Sequence, residues 1–254
     1  MSEVDNVEPK EKWEFDEAVA DCFENMLERS IPQYSVMRKA VADLAYNVIN
    51  FDVIKETFNI LDLGCSDGLM LAQLIDRFTI EDKEVKDRYI NNGKYVGIDV
   101  SEPMLKKAKF RFLDDIIDRK VSIYNCDLRT SFPQGVYDVI TSVLSIQFTP
   151  IEYRQHIIQN VYNHLSAKNG CFIMVEKVLG NTDKLNRMFV NNYYAMKRDN
   201  GYSQEQIDRK RLSLEGVLVP VTNDWNIDLL KQAGFREVDV FWRWMNFVGY
   251  IAIK

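Results

Sequence analysis

Leu61-Asp62-Leu63-Gly64-Cys65-Ser66-Asp67-Gly68 decides the fold. It follows the apolar stretch Phe58-Asn59-Ile60 and opens an amphipathic segment from Leu69 to Phe78, so the reading is strand, glycine turn, helix. That arrangement brings backbone N–H groups and the positive end of a helix up to an anionic ligand. Gly64 and Gly68 can take backbone conformations closed to other residues and let a ligand approach without meeting a Cβ. The spacing is Gly-x-x-x-Gly, not the Gly-x-Gly-x-x-Gly of dinucleotide enzymes, because Ser66 stands where the middle glycine would be. That glycine lets a pyrophosphate lie against the backbone. Its absence favours a ligand without one.

Two further acids stand at strand ends. Tyr95-Val96-Gly97-Ile98-Asp99 reads as a second strand whose terminal carboxylate can accept both hydroxyls of a ribose. The long gap from Gly64 to Asp99 is filled by the polar run Thr79 to Lys94, with Asn91-Asn92-Gly93, read as a surface insertion. Val121 to Leu128 reads as a third strand ending at Asp127. Turn and acids together resemble the S-adenosylmethionine (SAM) site of class I methyltransferases, in which the third acid and the following N–H meet the adenine edge.

At 254 residues, 46% of them apolar and 28% charged, the chain can bury a full core and is too apolar to stay disordered. No apolar run approaches the roughly eighteen residues of a membrane helix. Met1 to Lys12 is acidic and polar, unlike a secretion signal. Cys22, Cys65, Cys126 and Cys171 lie too far apart for metal-ligand pairs, and thiols at strand ends fit a reduced, cytoplasmic protein. A net charge of −6 disfavours a direct grip on nucleic acid. Of the two basic stretches, Lys106, Lys107, Lys109 and Arg111 read as a solvated helix face; the other is Arg209-Lys210-Arg211.

The elements alternate, which predicts a parallel sheet covered by helices on both faces. Before the first strand, Phe15, Ala18, Val19, Cys22, Phe23, Met26 and Leu27 form a helical stripe. Ser30 to Tyr34 breaks it, and a second helix is expected over about Ser35 to Asn50. Strand four is read at Tyr137 to Ser142, a helix at about Pro150 to Leu165 and strand five at Cys171 to Glu176. Glu237 to Trp242 and Asn246 to Ile253 read as a terminal antiparallel hairpin. The expected fold is therefore α/β and Rossmann-like, a seven-stranded, mostly parallel sheet in the class I methyltransferase layout. One SAM-binding domain, 1–254, is expected, with an N-terminal helical cap at 1–55 and the core at 56–177 and 225–254. A helical lid or dimerisation insertion at 178–224 completes it.

Metal catalysis is disfavoured. The two histidines, His156 and His164, share one helix without a ligand pattern, and no nucleophile elbow accompanies them. Strand four leads into Ser142-Val143-Leu144-Ser145-Ile146-Gln147-Phe148, which lacks the Pro-Pro motif of amino-methylating enzymes.

Sequence outside the core is more specific. Trp13-x-Phe15-Asp16-x-x-Val19-Ala20, Phe23, Met26 and Arg29-Ser30-x-Pro32-x-Tyr34 resemble the start of carboxy-S-adenosylmethionine synthases. Lys197-Arg198-x-Asn200-Gly201-Tyr202-Ser203, Lys210-Arg211 and Leu214-Glu215-x-Val217 resemble that family's lid, and Ala233-Gly234-Phe235 and Asn246-Phe247 continue the likeness to residue 253. The resemblance implies carboxylation of SAM on its methyl carbon, with prephenate as carboxyl donor and phenylpyruvate released. It also implies a product used by a partner enzyme in tRNA wobble-uridine modification, and a homodimer through the insertion, where Leu185, Met188 and Phe189 form an apolar face.

Carried over residue by residue, the likeness assigns Tyr34, Gly64, Cys65, Ser66, Asp99, Val100, Asp127 and Leu128 to SAM or carboxy-SAM, and Asp62, Gly68 and Ser142 beside them complete the expected cofactor site. It assigns Arg211 to the new carboxylate, which a guanidinium fork can bind bidentately, with Tyr202 beside it as the second catalytic candidate. An ordinary methyltransferase has no use for a cation beside a sulfonium. One departure stands out: Val143 occupies the position of a family Asn near the cofactor, leaving Ser142, Ser145 or backbone to replace it. The alternatives are a conventional methyltransferase of a small-molecule acceptor and a non-catalytic SAM-binding protein.

Overall fold

Helix α1 (Glu17–Ser30) begins where Asp16 leaves the helical conformation and its carboxylate accepts the Val19 N–H at 2.9 Å. Its buried stripe of Val19, Cys22, Phe23 and Met26 faces inward, and α2 (Tyr34–Asn50) follows after a short break. The computed structural model describes residues 5, 7, 9, 11–50, 57–84 and 93–254. Strand β1 (Asn59–Leu63) is buried from its second residue onward, and α3 (Leu69–Glu84) runs past the Phe78 expected from the sequence. The rest of the expected insertion, up to residue 92, lies outside the described residues.

The chain continues through β2 (Lys94–Asp99), α4 (Glu102–Arg111), α5 (Leu113–Ile117), β3 (Val121–Asn125) and β4 (Val139–Val143). A 3-10 turn (Ile146–Phe148) leads to α6 (Ile151–His164) and β5 (Cys171–Leu179). Then come α7 (Asp183–Asp199), α8 (Gln204–Leu214), β6 (Val221–Thr222), α9 (Asn223–Ala233), β7 (Glu237–Trp244) and β8 (Phe247–Ile253). The sheet order is β3-β2-β1-β4-β5-β8-β7, parallel through β5, with β8 antiparallel to β5 and to β7.

Among the described residues the sheet holds eight strands rather than the expected seven. Val221 and Thr222 pair in parallel with Val178 and Leu179, at the far end of β5. Two residues carry no alternation to read, and β5 is longer than its apolar run because Lys177 interrupts that run without ending the ladder. The segment 178–224 thus starts inside β5 and ends inside α9.

Two apolar layers sandwich the sheet. Met37, Val41, Leu71 and Leu74 of α2 and α3 pack on Ile60 and Ile173, while Ile157, Ile158, Leu229 and Leu230 of α6 and α9 pack on Ile140 and Phe172. A third cluster, Trp13, Val19, Phe23 and Met26 with Met104, seats α1 on α4. The order of the parallel strands reverses between β1 and β4, so a crevice opens beyond their carboxyl ends.

Candidate functional site

That crevice is a cavity of about 550 Å³. The turn after β1, the ends of β2 and β3, the segment after β4, α1 and the α7–α8 insertion wall it. Gly64 and Ser66 hold φ of +69° and +49°, the left-handed region that tightens the turn. A Cβ on Gly64 would run into the Ser145 hydroxyl, 2.5 Å from that serine's own Cβ. The glycine lets the turn after β1 meet the segment after β4 across the crevice. Gly68 does not line the cavity; its bare face takes the Phe112 ring.

The three strand-end acids differ in surroundings. Asp99 is fixed by the N–H groups of Ser66 (3.0 Å) and Ser101 (2.9 Å), so the glycine turn and the end of β2 are tied through one carboxylate. Burial raises its pKa, against those N–H donors. Asp62 is 2% exposed. Its Oδ1 accepts the Thr141 hydroxyl at 2.7 Å, and its Oδ2 has no hydrogen-bond partner. Burial pushes it up to about 7, opposed by Thr141 and helped by the nearby Asp99 charge. Asp127 sits at the open end, gripped by the Arg129 guanidinium at 2.6 and 3.0 Å, which lowers its pKa.

Tyr34, Cys65, Val100 and Leu128 also line the cavity, and so does Arg211. Arg211 donates to Oε1 of Glu215, the residue that caps the end of α8, at 3.1 Å and is partly solvated. Ser142 and Tyr202 do not reach it. Ser142 is fully buried beneath the sheet edge with its hydroxyl unpartnered. Tyr202 lies behind the wall, its hydroxyl shared between Asp5 and Ser30 and its ring 4.1 Å below the Arg29 guanidinium.

Several lining residues carry no role in the sequence reading. Gln147 of the 3-10 turn accepts the Lys177 N–H through Oε1 at 2.8 Å and donates to the Leu144 carbonyl, bracing the loop after β4. Leu144 is held at φ +58° there, strain of the kind stored at functional sites. Trp13, Phe15 and Phe148 meet edge to face along one wall. Lys177, Lys197 and Lys210 face the cavity from three elements. Quoted from the sequence, Lys197 and Lys210 were only parts of a motif, and the sole signal for Lys177 is a lysine directly after a buried strand-end acid, Glu176.

The basic helix α4 also differs from a purely solvated face. Lys107 pairs with Asp21 at 2.6 Å and Arg111 with Asp67 at 3.0 Å, docking α4 on α1 and on the glycine turn. The four cysteines are free and buried. Among the described residues no helix is long and apolar enough to cross a membrane.

Residues 61–172 match a family model described as a methyltransferase domain. The carboxy-S-adenosyl-L-methionine synthase of Methylococcus capsulatus is 35% identical over 240 residues, covering 94% of this chain and 93% of that one. The synthase of Nautilia profundicola is 35% identical over 245 residues, covering 96% of each. The chain belongs to the carboxy-S-adenosyl-L-methionine synthase family. Among solved structures, an O-methyltransferase family protein from Burkholderia thailandensis superposes with a TM-score of 0.62 at 16% identity, covering 94% of this chain and 60% of that one. Human N-acetylserotonin methyltransferase in complex with SAM gives 0.58 at 13% identity, covering 94% and 55%. This carboxy-SAM synthase homologue thus spans little more than half of those chains and shares their class I methyltransferase fold.

The protein is a SAM-dependent transferase, and its cavity fits SAM. The orphaned Oδ2 of Asp62 is a buried acceptor without a donor, as an ammonium group requires. Asp99 and Asp127 stand in order along the sheet edge, and the cavity walls between them are apolar. Val143 lines the cavity, flanked by Leu144 and Ser145.

Proposed function

We propose that this carboxy-SAM synthase homologue converts SAM and prephenate to carboxy-SAM and phenylpyruvate. The observation that carries the reading is Arg211 on the wall of the SAM cavity. A guanidinium beside a sulfonium is repulsive in methyl transfer and useful only where an anion forms or arrives. SAM, when bound, supplies a positively charged sulfur that acidifies its methyl C–H bonds. The donor loses its ring carboxylate and its hydroxyl, the released hydroxide takes a methyl proton to form water, and the carboxyl group ends on the methyl carbon.

In this reading Asp62, Asp99 and Asp127 hold the aminoacyl, ribose and adenine parts in place. Arg211 turns from Glu215 to the new carboxylate. The 178–224 segment serves as lid over the apolar walls that exclude water. The exposed Leu185 and Met188 on α7 favour a homodimer through that insertion. The −6 charge agrees with an enzyme that supplies its product to a separate tRNA-modifying partner without gripping tRNA itself, and the four free cysteines agree with a reducing, cytoplasmic setting.

Mass spectrometry of the reaction with Arg211→Ala tests the reading. Carboxy-SAM formation is expected to vanish while SAM binds within about threefold of wild type, a difference under about 1 kcal/mol. Undiminished carboxy-SAM synthesis by the variant overturns it.

A further inference from the structure

We infer that Lys177, Lys197 and Lys210 form a binding subsite for the carboxylate that the carboxyl donor keeps, leaving Arg211 for the one it gives up. The inference rests on the synthase reading and deepens it. The three lysines come from β5, the last turn of α7 and the middle of α8, and all line the same cavity. Two of them share one ring: the Lys177 and Lys197 ammoniums lie 4.6 and 5.8 Å from the centroid of Tyr193. Lys197 is also 4.8 Å from the Tyr202 centroid, and Lys210 is 3.8 Å from that of Trp13.

None of the three forms an ion pair among the described residues. Taking an ammonium out of water costs several kcal/mol, and a desolvated cation–π contact returns only about 2 kcal/mol. Lys210 also donates to Met26 Sδ at 2.7 Å, a weak acceptor, and together with the rings this still leaves the cluster in electrostatic deficit. Asp5 offsets part of this for Lys197 and Lys210, whereas Lys177 meets no such carboxylate. Burial first, then the neighbouring lysine charge, lowers Lys177 to about 8 and Lys210 to about 7. Burial likewise lowers Lys197 to about 8, joined by the charge of Arg29. An incoming anion is the group that relieves all of this.

The cavity is bipolar as a result. Asp62, Asp99 and Asp127 stand along the strand ends, and the lysines and Arg211 face them from β5 and the insertion. SAM brings one α-carboxylate, which a single cation can meet, and a neutral methyl acceptor brings none, so three lysines and Arg211 together exceed what either needs. Tyr193, Phe247 and Trp13 supply flat apolar surface beside the cations. The ligand class that matches is a compact dicarboxylate carrying a six-membered ring.

Phenylpyruvate is a suitable probe, because it keeps the retained carboxylate and lacks the transferred one. The full-length protein saturated with SAM is titrated with phenylpyruvate by calorimetry, and KM for prephenate is measured from carboxy-SAM formation. Lys177→Met, Lys197→Met and Lys210→Met are each expected to weaken phenylpyruvate and raise the donor KM about tenfold, with the SAM Kd within about twofold. The corresponding Lys→Arg variants restore most of the binding, which guards against a mere folding defect. Arg211→Ala loses synthesis yet keeps phenylpyruvate binding.

Unchanged phenylpyruvate affinity and donor KM in all three Met variants, with wild-type synthesis intact, overturns the subsite and leaves the synthase reading standing. If the wild type makes no carboxy-SAM but phenylpyruvate binding still depends on the lysines, the subsite holds and the synthase reading falls.

Discussion

Asp62 is expected to make SAM binding dependent on pH, with a sign that follows from its surroundings. The carboxyl is buried in β1, satisfied by Thr141 on one oxygen and by nothing on the other, and its pKa is raised to about 7. In the ligand-free fold it holds a proton that the unfolded chain releases near 3.8. Its contribution to stability is therefore present below that value and lost as pH rises to about 7. An ammonium placed on Oδ2 reverses the preference, favouring the ionised form, so binding expels the proton. With a folded pKa of about 7, only about 3% of the carboxyl is ionised at about pH 5.5 and about half at pH 7, so SAM affinity is expected to rise about sixteenfold over that range, or ~1.6 kcal/mol. Asp62→Asn keeps an acceptor for Thr141 and removes the titration; its SAM affinity at pH 7 falls and loses most of its slope. Calorimetry in two buffers of different ionisation enthalpy counts the proton directly. A flat wild-type profile, or a slope surviving in Asp62→Asn, refutes the reasoning and moves the titration to another group such as Asp99.

Gly64→Ala places a side chain at φ +69° against Ser145, and left-handed strain of about 1–2 kcal/mol plus crowding of about 1–3 kcal/mol sum to a loss on the order of 3 kcal/mol. Urea unfolding measures it, and adding Ser145→Gly is expected to recover the crowding part alone; full recovery would show that φ carries no cost. Tyr202→Phe removes the hydroxyl from Asp5 and Ser30 and keeps the ring under Arg29. A stability loss of about 1–2 kcal/mol is expected, with SAM and phenylpyruvate binding unchanged. A collapse of kcat at an unaltered unfolding midpoint would instead put the hydroxyl at the chemistry.

What the sequence carried and what it withheld separate along a physical line. The parallel core was legible because each strand there is a short apolar run ended by a turn residue, and because Gly64, Asp99 and Asp127 sit at successive strand ends, where side-chain type reports position. β6 was illegible because two residues have no period, and its pairing depends on where the chain returns after α8. Gly68 was read as open to a ligand when it is open to Phe112, since a missing Cβ states that something comes close but not what. Tyr202 is a related case: its motif places it on the insertion, yet it stands in the turn before α8, where its hydroxyl meets Asp5 and Ser30 behind the cavity wall. The lysines are the sharpest case. In sequence, Lys210 belongs to a basic run, Lys197 to a helix end and Lys177 to a strand end, and each alone reads as solvated or incidental. Only the fold of the insertion over β5 brings the three cations to one cavity. The acid end of the site is written locally, strand by strand, and the cationic end exists only as a tertiary contact. A reading limited to the glycine turn and its acids therefore sees a place for SAM and misses the lysine cluster for which an anionic co-substrate is proposed.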